Sequence, residues 1–147
     1  MAAGAWKFYD TTRQKLGNGV INLSTGVFYV TLHTPATNAA TVTLSSKGSL
    51  DNEVTSGNGY SNSAMSLCSH TWASVAAGTY RFDASDWFVS ANGGTIPSAN
   101  SDIQYGVIWQ SGGALLCFST LSTSSFNITD TNRLTIQFNA SGIFELS

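Results

Sequence analysis

Cys68 and His70 stand two residues apart in the run Met65-Ser66-Leu67-Cys68-Ser69-His70, so an extended backbone points both side chains to one face. A thiol beside an imidazole is the start of a nucleophile-base pair or of a metal site, and a metal needs at least a third ligand. No third ligand is in sight. His33, the other histidine, lies in a separate apolar run, and a histidine beside such a run is explained by packing or by a place at the sheet edge. Two carboxylate pairs come next: Asp83 with Asp86 before Trp87, and Asp51 with Glu53 ahead of Gly57-Asn58-Gly59. Such pairs hold Ca²⁺ or serve glycosidases. Asp is also a favoured turn residue, because its side chain accepts hydrogen bonds from nearby backbone N–H groups, so these positions require no active site.

Trp6, Trp72, Trp87 and Trp109 offer flat faces on which a pyranose ring could stack. Trp87 and Trp109 sit inside apolar runs and are expected to fill the core. The chain has no G-x-S-x-G elbow, H-E-x-x-H, C-x-x-C or phosphate-binding loop. These residues point to a protein without enzymatic activity, metal or cofactor.

The elements that must position these groups are strands. In Arg133-Leu134-Thr135-Ile136-Gln137-Phe138 every second side chain is apolar, the period of a half-buried strand. Ile136 and Phe138 are thus expected inside and Gln137 outside. Further strands are predicted at 20–23, 27–33, 42–44, 64–69, 79–83, 87–90, 103–110, 114–119, 126–129 and 143–146, with Phe28, Val30 and Leu32 sharing one face. Residues 51–60 read as an exposed loop. Turn signals at Asn92-Gly93-Gly94, Ser111-Gly112-Gly113 and Asp130-Thr131-Asn132 give the spacing of a sandwich or barrel. The expected fold is all-β, an antiparallel β-sandwich or jelly-roll-like domain over residues 20–147. Residues 1–19 are expected to form an N-terminal arm or short helix, with Trp6, Tyr9 and Leu16 on one helical face and Gly17-Asn18-Gly19 as its stop. On that reading the first 16 residues are separable from the core.

At 147 residues the chain suits one core, and charged residues make up only 10% of it. The net charge of −2 supplies no basic field for nucleic acid. No apolar run approaches the roughly 18 residues of a membrane span, and no signal-peptide stretch follows Met1. Cys68 and Cys117, each in an apolar run, are expected as buried free thiols. Three sequons, at Asn22, Asn127 and Asn139, carry little weight in a chain this rich in Asn, Ser and Thr.

Three segments in order carry a resemblance: Lys15-Leu16-Gly17-Asn18-Gly19, Phe28-Tyr29-Val30-Thr31-Leu32-His33-Thr34, and Asn52-Glu53-Val54 through Gly59-Tyr60. Tyr105-Gly106-Val107-Ile108-Trp109, Leu115-Leu116-Cys117-Phe118 and the closing Phe138 to Leu146 extend it over most of the chain. The sequence resembles small structural proteins of tailed bacteriophages and is similar to capsid decoration or cement proteins. Ser61-Asn62-Ser63 departs from that pattern, standing where a more Gly-rich turn is usual. The resemblance implies synthesis in the host cytoplasm and a place on the capsid surface. It also implies binding to the major capsid protein and self-association as a homo-oligomer. Candidate partner-binding residues are Trp6, Lys7, Tyr9, Arg13 and Lys15 in the N-terminal stretch, and Glu53, Asn58 and Tyr60 in the middle loop. A tail, neck or baseplate component and a carbohydrate-binding β-sandwich module are the alternatives.

Overall fold

The computed structural model describes residues 4–62, 65–99 and 102–147. The described elements are β1 (Lys7–Phe8), α1 (Thr12–Gly17), β2 (Phe28–His33), β3 (Thr71–Ala76), β4 (Thr79–Asp83), β5 (Trp87–Ser90), β6 (Tyr105–Gln110), β7 (Ala114–Thr120), β8 (Arg133–Ile136) and β9 (Phe144–Leu146). A single 3-10 turn, Lys47–Ser49, adds to them. Among the described residues the strands form three antiparallel sheets, ordered β1-β7-β6-β2, β3-β4-β9 and β5-β8, in an all-β, sandwich-like fold.

The four-stranded sheet is buried on both faces. One face contributes Phe28, Val30, Leu32, Ile108 and Leu116 to a core shared with Phe82 of β4, Trp87 and Val89 of β5, and Leu134 and Ile136 of β8. The other presents Val107, Trp109, Leu115 and Phe118 to Tyr9 and Ala39, with Leu44 and Leu50 packed alongside. Residues 36–50 therefore act as a lid over a face that an antiparallel sheet usually leaves to water. A bulge on β7 serves both cores: Ile108 faces Cys117 and Trp109 faces Leu115, so Leu116 has no opposite residue and joins Cys117 in the larger core.

Several expectations hold at the residue level. Phe28, Val30 and Leu32 are all fully buried, Ile136 is buried, Gln137 is exposed and Phe138 is partly buried. Trp87 and Trp109 fill the core, and Ile143 and β9 anchor the C-terminal segment against β4. Both cysteines are free, but Cys68 is exposed and only Cys117 is buried. Residues 20–23 and 42–44 are turns and not strands, although Ile21 and Leu23 still point into the core. Ser63 and Ala64 fall outside the described residues; the segment that follows lies along β2, where Val30 N donates to Met65 O and Leu67 N to Phe28 O, both at 2.9 Å.

The largest departure from expectation concerns residues 4–19, which pack against the rest of the domain; residues 1–3 of the expected arm lie outside the described residues. Lys7 and Phe8 pair with Phe118 and Cys117 of β7, so the expected helix begins only at Thr12. Tyr9 is 1% exposed, and its hydroxyl donates to Ala39 O at 2.7 Å. Thr12, also buried, donates through Oγ1 to Leu116 O at 2.8 Å. The spacing of Trp6, Tyr9 and Leu16 mimicked a helical face because all three pack against the domain, Trp6 and Tyr9 from either side of β1 and outside the helix.

Candidate functional site

Two groups of predicted site residues belong to opposite edges of the four-stranded sheet. Trp6, Lys7 and Tyr9 belong to the β1 edge, with Arg13 and Lys15 on the adjoining α1. Glu53, Asn58 and Tyr60 lie beyond β2, the other edge. They form no common site.

The densest polar cluster surrounds the β2 edge. Thr31 and His33 occupy alternate positions of β2 that, in a one-sided sheet, would face water; here they face the second, lidded side and are buried. His33 is 0% exposed. Its Nδ1 is 3.1 Å from Asp51 O, and its Nε2 is 3.1 Å from Thr31 Oγ1. A backbone carbonyl can only accept, so Nδ1 carries the proton and Nε2 accepts from the Thr31 hydroxyl. The imidazole is held neutral. Burial lowers its pKa to about 4 from the ordinary 6.5, against the opposing effect of the Asp51 carbonyl.

Glu53 pairs with His33 in an isolated bridge, while Val54 N donates to Leu32 O at 2.9 Å. The loop from 51 to 60 thus closes the β2 edge and is not the free excursion the sequence predicts. Glu53 accepts from Lys47 Nζ in an ion pair, and Tyr60 Oη donates to Glu53 Oε1 at 3.4 Å while accepting from Leu32 N at 2.9 Å. Burial raises the Glu53 carboxyl despite the adjacent ammonium, and burial also pushes the Tyr60 hydroxyl up. The Lys47 ammonium lies 5.8 Å from the Trp109 ring centroid. Tyr60 is brought to this place by a tight turn at Gly57-Asn58-Gly59. A Cβ on Gly59, whose φ is +100°, would stand 2.3 Å from Ser90 O, so only glycine fits there.

Tyr9 and Tyr60, the latter 3% exposed, are core residues and cannot touch a partner in this fold. Their size and apolar rings are what drew them inside; each hydroxyl finds a backbone partner there. Glu53 and Asn58 are committed internally, Asn58 through a 2.7 Å bond from Nδ2 to Thr95 O. Lys15 donates to Ser45 O, and partial burial lowers its pKa. Arg13 is exposed, with its guanidinium 5.5 Å from the Phe8 ring centroid, and Lys7 is exposed as well.

Trp6 lines a cleft of about 660 Å³ together with Phe138, Asp86, Gln137 and Asn139. The Trp6 and Phe138 rings are 5.8 Å apart, and Asp86 Oδ1 accepts from Phe138 N at 3.1 Å. Phe138, Gln137 and Asn139 were not among the predicted site residues. Alternation continues through Phe138 although β8 ends at Ile136, so spacing assigned Phe138 to the core and gave no sign of a cleft. Cys68 and His70 do not form the pair their spacing suggested: the Cys68 thiol donates to Ser66 O at 3.7 Å, whereas the His70 ring packs on Phe28 and Phe82.

No protein-family model matches the chain, and no curated protein or solved structure matches it. Among the described residues, no helix is long and apolar enough to cross a membrane.

The buried imidazole has a measurable consequence. Between pH 6.5 and about 4 the unfolded chain binds a proton at His33 that the folded chain refuses, so stability falls with pH across that window. The full loss attributable to this group is about 3 kcal/mol. The raised Glu53 carboxyl works in the opposite sense, and the contribution of His33 is therefore read as a difference. Urea unfolding at several pH values should show a shallower acid loss for His33→Gln than for the parent; parallel curves would mean the imidazole is not buried neutral.

Proposed function

We propose that this protein is a non-enzymatic structural component of a tailed-phage virion, a capsid decoration or cement protein that binds the major capsid protein and bridges neighbouring capsomers from outside the shell. The observation that supports the non-enzymatic reading is the commitment of the groups in its densest polar cluster: the His33 imidazole is sealed, Glu53 is paired with Lys47, and the Tyr60 hydroxyl bridges Leu32 N and Glu53. These groups lock the loops to the sheet. The sparsely charged, polar exterior suits repeated contacts on a lattice, where simultaneous engagement raises affinity through local concentration. Lys7 and Arg13 are the predicted partner-binding residues with exposed charges at the β1 edge.

Particles lacking the protein are expected to keep normal shell geometry yet release DNA at lower temperature or in low-magnesium buffer, and purified protein added back should restore them. Full, stable heads without tails would assign the protein to the neck or tail instead. A carbohydrate-binding role is favoured by one specific observation, the Trp6 cleft, in which the rings of Trp6, Phe138 and Phe144 adjoin carboxylate and amide side chains. Glycan-array binding that Trp6→Ala abolishes, with particle stability unaffected by deletion, would establish that role in place of the capsid one.

A further inference from the structure

β3 is the long open edge of this fold. It terminates the β3-β4-β9 sheet, and among the described residues no bridge or backbone hydrogen bond from another segment reaches Thr71–Ala76 on the side away from β4. An exposed strand edge presents a row of unpaired N–H and C=O groups, and soluble proteins usually blunt it with charge, proline, brevity or a covering segment. The other edges here follow that rule. β1 has two residues; β9 has three and carries Glu145. The open side of β2 is covered by residues 53–54 and 65–67, while in the β5-β8 ribbon each strand has only four residues and β8 carries Arg133. β3 has six residues, Thr71-Trp72-Ala73-Ser74-Val75-Ala76, with neither charge nor proline, and its one irregularity falls at the far end, between Ser74 and Ala76.

The exposed side chains around this edge are uncharged, and two of them are large and apolar. Val75 is 44% exposed and Tyr80, opposite Ser74 on β4, is 46% exposed, with the Tyr80 ring stacked on Trp72 at 5.4 Å. We propose that β3 pairs antiparallel with β3 of a second copy of this chain about a two-fold axis through Ala73, joining two three-stranded sheets into one of six strands.

Three features select a second copy as the occupant. A dyad perpendicular to the sheet makes the contact self-complementary, each residue i facing its counterpart j on the same side. Centred on Ala73, it sets Ala73 against itself and Thr71 against Val75 on one face, and bulky Trp72 against small Ser74 on the other. β-branched and large-small pairs of this kind are the units that stabilise neighbouring strands. Finally, two copies of an acidic chain meet here without like charges, because Thr71 to Thr79 contains none. A foreign charged strand would find no countercharge on β3. The pairing concerns the protein alone and does not depend on the capsid reading.

Sedimentation velocity on the purified protein tests it. The parent should populate a species of 31 kDa, twice the 15.5 kDa chain, in proportion to concentration. Ala73→Lys, which sets two ammonium groups against each other at the dyad, should weaken that association roughly tenfold or more with an unchanged circular dichroism spectrum. Thr129→Lys, exposed and remote in sequence, should leave it intact. In a Cys68→Ser background, which removes the exposed thiol, Ala73→Cys should cross-link to a covalent dimer under mild oxidation. A parent that stays monomeric at every attainable concentration overturns the proposal, as does a dimer insensitive to Ala73→Lys. A monomeric parent whose binding to capsid shells is abolished by Ala73→Lys would assign the edge to a foreign strand and equally reject the second copy.

Discussion

A chain that begins at residue 17 is expected to lose its cooperative fold. Residues 4–16 supply the β1 pairing with β7, the buried Tyr9 ring that closes the second core, and the Thr12 hydroxyl bond to β7. Deleting one large buried aromatic costs about 3–5 kcal/mol, and a whole domain is stable by only about 5–15 kcal/mol. Removal of Tyr9 together with the β1 strand would uncover Val107, Leu115 and Phe118 along one face of the central sheet. The Phe8 ring, 4.5 Å from that of Phe144, would also be lost from β9. The truncated protein should therefore show no near-ultraviolet dichroism and no sigmoidal thermal transition. A sharp transition within a few degrees of the parent would show that the segment is dispensable and restore the separable arm.

Phe82→Ala should be the most damaging single truncation on β4, at about 3–5 kcal/mol in urea unfolding. Phe82 is fully buried, and its ring lies 5.1 Å from Phe28, 5.3 Å from Phe144 and 5.8 Å from His70, so it joins the three-stranded sheet to the four-stranded one. Its carbonyl also accepts from Ile143 N at 2.9 Å, which holds the last turn before β9. Little around it can collapse, because neighbouring rings are themselves fixed by contacts on other strands. Tyr80→Ala, two residues away on the same face but at the open end of the sheet, should cost far less. Equal losses at the two positions would mean that the three-stranded sheet does not lean on the core as described.

The strand content was legible because alternation is a local signal. Phe28, Val30 and Leu32 could be assigned to one buried face from spacing alone, and Ile136 and Gln137 to opposite sides of β8. β3 was not foreseen, since Thr71-Trp72-Ala73-Ser74-Val75-Ala76 lies at an exposed edge and buries little, leaving no apolar rhythm to read. The opposite failure occurred at 20–23 and 42–44, where short apolar runs pack against the domain from turns.

For the candidate site, Glu53, Asn58 and Tyr60 and the N-terminal residues Trp6 to Lys15 came with the resemblance to phage structural proteins, carried by segments such as Asn52-Glu53-Val54 through Gly59-Tyr60. The sequence alone could not say that Tyr9 and Tyr60 would be internal or that the two groups would occupy opposite sheet edges. Local composition determined the all-β class, the turns and the inward face of the central strands, because period-two alternation follows from the backbone geometry of a single strand. Tertiary structure decided the rest: a central sheet covered on both faces makes His33 a sealed neutral imidazole and turns the N-terminal segment into core. Burial on a second face depends on which distant residues come to lie there, and no spacing within one strand encodes that.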